Sequence, residues 1–155
     1  MKNIKYIVVH CTATPPTATL EDVRKNWQQK QQHGILQAHP YIIKRDGEVK
    51  KLHCFSSKSV IENNTLAPAD ECLHIAYMGG IDKEGKPVDN RTQRQEDAMF
   101  DKLVELSEKY PDSFIMGYDE FTGLQNNSPC FDVKKWLANY KPDFLELCYE
   151  TEQAA

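Results

Sequence analysis

The run Ile4-Lys5-Tyr6-Ile7-Val8-Val9 constrains the fold most: it is short, apolar and rich in β-branched residues, which reads as a buried strand. It ends in His10-Cys11-Thr12-Ala13-Thr14, and Pro15-Pro16 then forces a loop. A polar cluster at the end of a buried strand is where a site can sit. Behind the loop, Thr19-Leu20-Glu21-Asp22 resembles a capping box, with Asp in place of the usual Glu or Gln. Leu20, Val23 and Trp27 then recur at helical spacing and Gly34 is a stop, so a helix is predicted from about Leu20 to Gln32.

The pattern repeats along the chain. Tyr41-Ile42-Ile43-Lys44 and Glu48-Val49-Lys50-Lys51-Leu52 flank Arg45-Asp46-Gly47, and an Asp-Gly between two strand-like runs signals a hairpin. Residues 53–71 read as irregular, and Leu73 to Met78 as another strand ended by Gly79-Gly80. Thr92-Gln93-Arg94-Gln95 is a second capping box, followed by Met99, Leu103, Leu106 and Tyr110 at helical spacing and Pro111 just beyond. Ser113 to Tyr118 reads as a short strand and Asp119 to Pro129 as a loop. Asp132 caps a short helix carrying Val133, Trp136 and Leu137, and Pro142 to Tyr149 reads as a last helix. Alternating strands and helices with one hairpin predict an α/β fold, a mixed central β-sheet flanked by helices.

Length and charge narrow the function. A chain of 155 residues fits one domain with one core. A net charge of -4 and a pI of about 5.7 argue against nucleic acid as a partner. No segment approaches the roughly 20 apolar residues of a membrane span. Met1 to Lys5 leads straight into the first strand with no signal-peptide core, which predicts a cytoplasmic protein that a holin or lysis can release. The five cysteines (Cys11, Cys54, Cys72, Cys130, Cys148) are odd in number and form no CxxC pair, so reduced thiols are expected.

The order and spacing of several stretches carry a resemblance. They are Ile7 to Thr14, Tyr41 to Gly47, Ile75 to Pro87, Thr92 to Gln95, Ile115-Met116-Gly117 and Ser128-Pro129-Cys130-Phe131-Asp132-Val133. Together they resemble the N-acetylmuramoyl-L-alanine amidase family, which includes phage lysozyme-type amidases and peptidoglycan recognition proteins. The resemblance covers roughly residues 4–140; a single amidase-like domain is expected over residues 1–150, with a disordered tail at 151–155. The resemblance implies a zinc ion held by two histidines and one cysteine. The metal activates a water that cuts the bond between muramic acid and the first L-alanine of the stem peptide.

Most of those positions are changed here. His10 matches the first zinc ligand. Tyr118, in Gly117-Tyr118-Asp119-Glu120, stands where the resemblance places the second histidine, and Ser128, in Ser128-Pro129-Cys130-Phe131-Asp132, where it places the cysteine. Asn126 takes the place of an assisting lysine, His39 that of an assisting tyrosine, and Asn64 that of a histidine facing substrate. Serine and tyrosine hydroxyls are poor zinc ligands beside imidazole and thiolate. The expectation is therefore no catalytic residues and no zinc cofactor. His10, His39, Asn64, Tyr118, Asn126 and Ser128 instead form a binding surface for a peptidoglycan fragment or a protein partner.

Two rivals stand beside that reading. His10, with His74 or His39 and with Cys130, Asp119 or Glu120, is a rewired zinc site in an active cell-wall lysin; against it, no pair has tight ligand spacing. A regulatory protein that buries its groove against a partner is the other, and its mark is an apolar patch at the groove mouth. Cys11 next to His10 suggests a nucleophile pair, but adjacent strand residues point to opposite faces, which sends Cys11 into the core.

Overall fold

The computed structural model describes residues 4–32 (backbone only over 27–32), 41–51, 71–123 and 128–140. Five strands form one sheet: β1 (Tyr6–Cys11), β2 (Tyr41–Ile43), β3 (Val49–Lys51), β4 (Cys72–Tyr77) and β5 (Phe114–Gly117), in the order β3-β2-β4-β1-β5. β1 lies parallel to both β4 and β5, and β2 parallel to β4; only β2–β3, the hairpin around Asp46-Gly47, is antiparallel. The sheet is mixed, as the sequence predicts, and helices cover both of its faces.

β1 sits inside the sheet with helices above and below, and this is why it is apolar at nearly every position. Ile7, Val9 and Cys11 point to one face, with Ile43, Ile75 and Tyr77 from the neighbouring strands. That face receives α2 (Gln93–Lys109) through Met99, Leu103 and Leu106, and α4 (Val133–Asn139) through Val133. The opposite face carries Val8, Cys72 and Met116 against Phe121 of the short helix α3 (Tyr118–Thr122), and Ile42 and Ala76 against Val23 of α1 (Leu20–Gln32). Cys11 is buried on the α2 face, away from His10.

Three of the stretches that carry the resemblance meet around one buried glutamine. Gln95 closes the α2 capping box, accepting from Thr92 N at 3.0 Å while its own backbone N–H donates to Thr92 Oγ1 at 3.1 Å. Its amide also donates to the carbonyls of Ile43 at 3.1 Å and Met78 at 3.0 Å. Arg45, in the hairpin, donates to Gln95 Oε1 at 3.0 Å and to the Asn90 carbonyl at 2.8 Å. Hairpin, glycine loop and helix start are thereby one hydrogen-bonded unit with its buried polar groups satisfied.

One difference from the predicted elements stands out. Tyr118, expected at the end of a strand, and residues 119–122, expected as loop, form α3, with Gly123 in the left-handed conformation ending it. The helix expected over Pro142 to Tyr149, the irregular stretch and the tail lie outside the described residues, apart from Glu71 at the end of that stretch.

Candidate functional site

His10 is the next-to-last residue of β1, on the α3 face. In register it stands beside Ala76 of β4, and Val8 stands beside His74. Ala76 has no side chain beyond Cβ, so the His10 ring has room to lean towards His74. His10 Nε2 and His74 Nδ1 are 2.7 Å apart, a hydrogen bond in which one imidazole donates and the other accepts. Both rings are buried, at 3% and 5% exposure. Nε2 of His74 is also buried and finds no hydrogen-bond partner among the described residues. Burial pushes the His74 imidazole down from 6.5 to about 4, so the ring is neutral at ordinary pH.

Tyr118 reaches the same point from the other side. β5 pairs with β1 through Val9 and Gly117, so the residue after Gly117 falls beside His10. Its ring stacks on that of His10, centroids 4.4 Å apart at 28°. Close packing fixes the turn: a Cβ on Gly117 would lie 2.5 Å from Asp119 Oδ1 and 3.0 Å from Pro129 Cδ. Ser128 lies on the adjoining loop, where its Oγ accepts from Cys11 N at 3.0 Å and its carbonyl accepts from Asp119 N at 3.0 Å. The loop is held again by Tyr77, whose hydroxyl donates to the Pro129 carbonyl at 2.7 Å.

The structure thus brings His10, Tyr118 and Ser128 together at the end of β1, as the sequence places them. His39, Asn64 and Asn126 lie outside the described residues. His74, weighed as a possible metal ligand or as a residue of the sheet face, lies on the α3 face of the sheet, where it is the hydrogen-bond partner of His10. The signal for it was available, since His74 lies two residues before Ala76, on the same face of β4.

Zinc does not fit these residues. The Nε2 of His10 points at a second imidazole, an aromatic ring covers the His10 face, and the hydroxyl of Ser128 is held on a backbone amide. Among the described residues, no three His, Cys, Asp or Glu side chains are grouped to hold a metal ion. Cys130 is on the wrong side of the sheet for a rewired site with His10: it packs with Cys11 and Tyr77 on the α2 face, and its thiol donates to the Gly80 carbonyl at 3.5 Å.

Beside this cluster, an open cleft of about 550 Å³ runs between α3 and the start of α4. It is lined by Asp119, Glu120, Cys130, Phe131, Asp132, Lys134 and Lys135, and not by His10, Tyr118 or Ser128. Lys134 pairs with Glu120 across it at 3.2 Å. Desolvation raises the Asp119 carboxyl.

No family model matches the chain. Among curated proteins, the endolysin of Klebsiella phage KP32 is 30% identical over 131 residues, 84% of this chain and 83% of the endolysin. The chain belongs to the N-acetylmuramoyl-L-alanine amidase family of phage endolysins and peptidoglycan recognition proteins. Solved structures agree on the fold. The N-acetylmuramoyl-L-alanine amidase LysC from Clostridium intestinale URNW superposes with a TM-score of 0.56 at 18% identity, covering 82% of this chain and 76% of LysC. Drosophila peptidoglycan recognition protein SD superposes with a TM-score of 0.56 at 18% identity, covering 92% of this chain and 85% of its own. In this member of the amidase family, the residues at the end of β1 pair with one another. No helix of the described residues is long and apolar enough to cross a membrane.

Proposed function

We propose that this chain is an amidase-family protein that binds peptidoglycan fragments without hydrolysing them. The observation that carries the reading is the 2.7 Å bond between His10 and His74 under the Tyr118 ring. A zinc hydrolase needs the His10 nitrogen aimed at a metal with an open position for water. Here that nitrogen is spent on a neutral histidine. The fold itself is well supported by its buried polar unit, so the scaffold persists where the metal chemistry has gone, and function follows the site rather than the fold.

The ligand class comes from the relatives. Peptidoglycan recognition protein SD carries its ligand in its name, and the Klebsiella phage protein is an endolysin. Tyr118 and Ser128, together with His39, Asn64 and Asn126, offer aromatic, hydroxyl, imidazole and amide groups, which suit the sugar and amide groups of a muropeptide. A protein partner is the other occupant of such a surface.

The test is co-sedimentation with purified insoluble peptidoglycan, with the supernatant analysed for released stem peptides. The expected result is retention of the protein in the pellet with no stem peptide above the level of a buffer control. Release of stem peptides after added zinc would establish the rewired amidase instead. Failure to sediment would turn the reading towards a protein partner.

A further inference from the structure

Cys11 and Cys130 take no part in the site around His10, yet the fold brings them together. Cys11 ends β1 with its side chain on the α2 face; Cys130 follows Pro129 on the loop into α4. Three contacts fix the approach. The Cys11 backbone N–H donates to Ser128 Oγ at 3.0 Å, which holds the loop against the strand end. The two sulfurs share Gly80: a Cβ built there would lie 2.5 Å from Cys11 Sγ, and Cys130 Sγ lies 3.5 Å from the Gly80 carbonyl oxygen. The neighbouring Cys11 thiol and burial push the Cys130 thiol up. Cys11 is buried, whereas Cys130 is half-buried and lines the open cleft between α3 and α4.

We propose that Cys11 and Cys130 are a redox-active dithiol, closed to a disulfide by a small-molecule disulfide entering the cleft. With a small disulfide R–S–S–R, Cys130 gives up its proton as it attacks one sulfur and releases one R–S⁻, leaving Cys130–S–S–R; its raised thiol pKa makes this step slow at neutral pH and faster in alkali. The Cys11 thiolate then attacks Cys130 Sγ, forms the Cys11–Cys130 bond and releases the second R–S⁻. The two protein thiols lose two protons and two electrons, and the reagent gains both as two R–SH. Burial of Cys11 makes it the resolving residue, and the opening of Cys130 to the cleft makes it the first to attack the reagent. The bond ties the Ser128–Cys130 loop to the end of β1, directly behind His10. This holds whether or not the surface around His10 binds peptidoglycan.

The test is oxidation of the folded chain with oxidised glutathione until the free-thiol count stops falling. Alkylation under denaturing conditions and peptide mapping without reductant follow. The expected product has lost two hydrogens, contains a linked Cys11–Cys130 peptide, and returns to the free dithiol with dithiothreitol. The chain carrying Cys54→Ser and Cys148→Ser should give the same link, and Cys130→Ser should abolish it. Recovery of both Cys11 and Cys130 as alkylated thiols at the end point would overturn the proposal, as would a link joining either of them to a different cysteine.

Discussion

His10 Nε2 and His74 Nδ1 stand 2.7 Å apart on the α3 face of two parallel strands, and a single proton serves both atoms. Everything else about the end of β1 is arranged around that pair: the Tyr118 ring on one side, Ala76 leaving space on the other, and Phe121 near the His74 ring with centroids 6.3 Å apart. The account makes four predictions besides those above.

Stability should fall in acid because of His74. Above pH 6.5 the residue is neutral both folded and unfolded. Between 6.5 and about 4 the unfolded chain takes up a proton that the buried ring does not. Stability is therefore lost as pH falls through that window. A depression of this size corresponds to roughly 3 kcal/mol between its ends. Urea midpoints at pH 7 and pH 4.5 measure it, and His74→Leu should show a shallower acid slope than the unsubstituted chain.

Zinc binding should return stepwise. Tyr118→His with Ser128→Cys rebuilds the family's ligand types, but His10 Nε2 stays engaged by His74. Adding His74→Ala frees it. Zinc titration should give weak binding for the double variant and tighter binding for the triple variant. Equal affinity in the two would mean that His74 does not hold His10 away from a metal.

Gln95 should be far more sensitive than its place in a surface-facing capping box suggests. Gln95→Leu leaves the Ile43 and Met78 carbonyls, the Thr92 N–H and the Arg45 guanidinium each short of a partner. The expected cost is about 3 kcal/mol, read as a lowered urea midpoint with unchanged slope.

Arg91 should not tolerate lysine. Its side chain is only 4% exposed, holds both oxygens of Asp89 at 2.9 and 3.0 Å, and stacks on Phe131 with Cζ 3.5 Å from the ring centroid. Lysine keeps the charge but loses the fork and the flat face, so Arg91→Lys should lower stability by about 1–2 kcal/mol in chemical denaturation.

Much of this was legible in the sequence, for identifiable reasons. Helix starts carry local chemistry, so the Thr92 box located α2 and Asp132 located α4. The Asp-Gly turn located the hairpin, and the unbroken apolar run located β1. α3 was missed because its five residues include two acids and no helical apolar repeat; what forms it is the chain turning at Gly117 and Phe121 packing on Val8. Tyr118 and Ser128 were legible as departures from the family's ligand positions. The His10–His74 bond was not, because it depends on which strands are neighbours and on the small residue at 76, and neither is a property of local sequence. The contact between Cys11 and Cys130 escaped for the same reason, being set by the loop that Ser128 and Tyr77 hold in place.

The most direct test of the central claim is the zinc content of the purified protein after incubation with excess zinc and removal of the unbound metal, with His10→Ala as the control. The account predicts that neither protein retains zinc beyond a small, equal fraction. Near-stoichiometric zinc in the unsubstituted chain, lost in His10→Ala, would contradict it and make this chain a metal-dependent lysin.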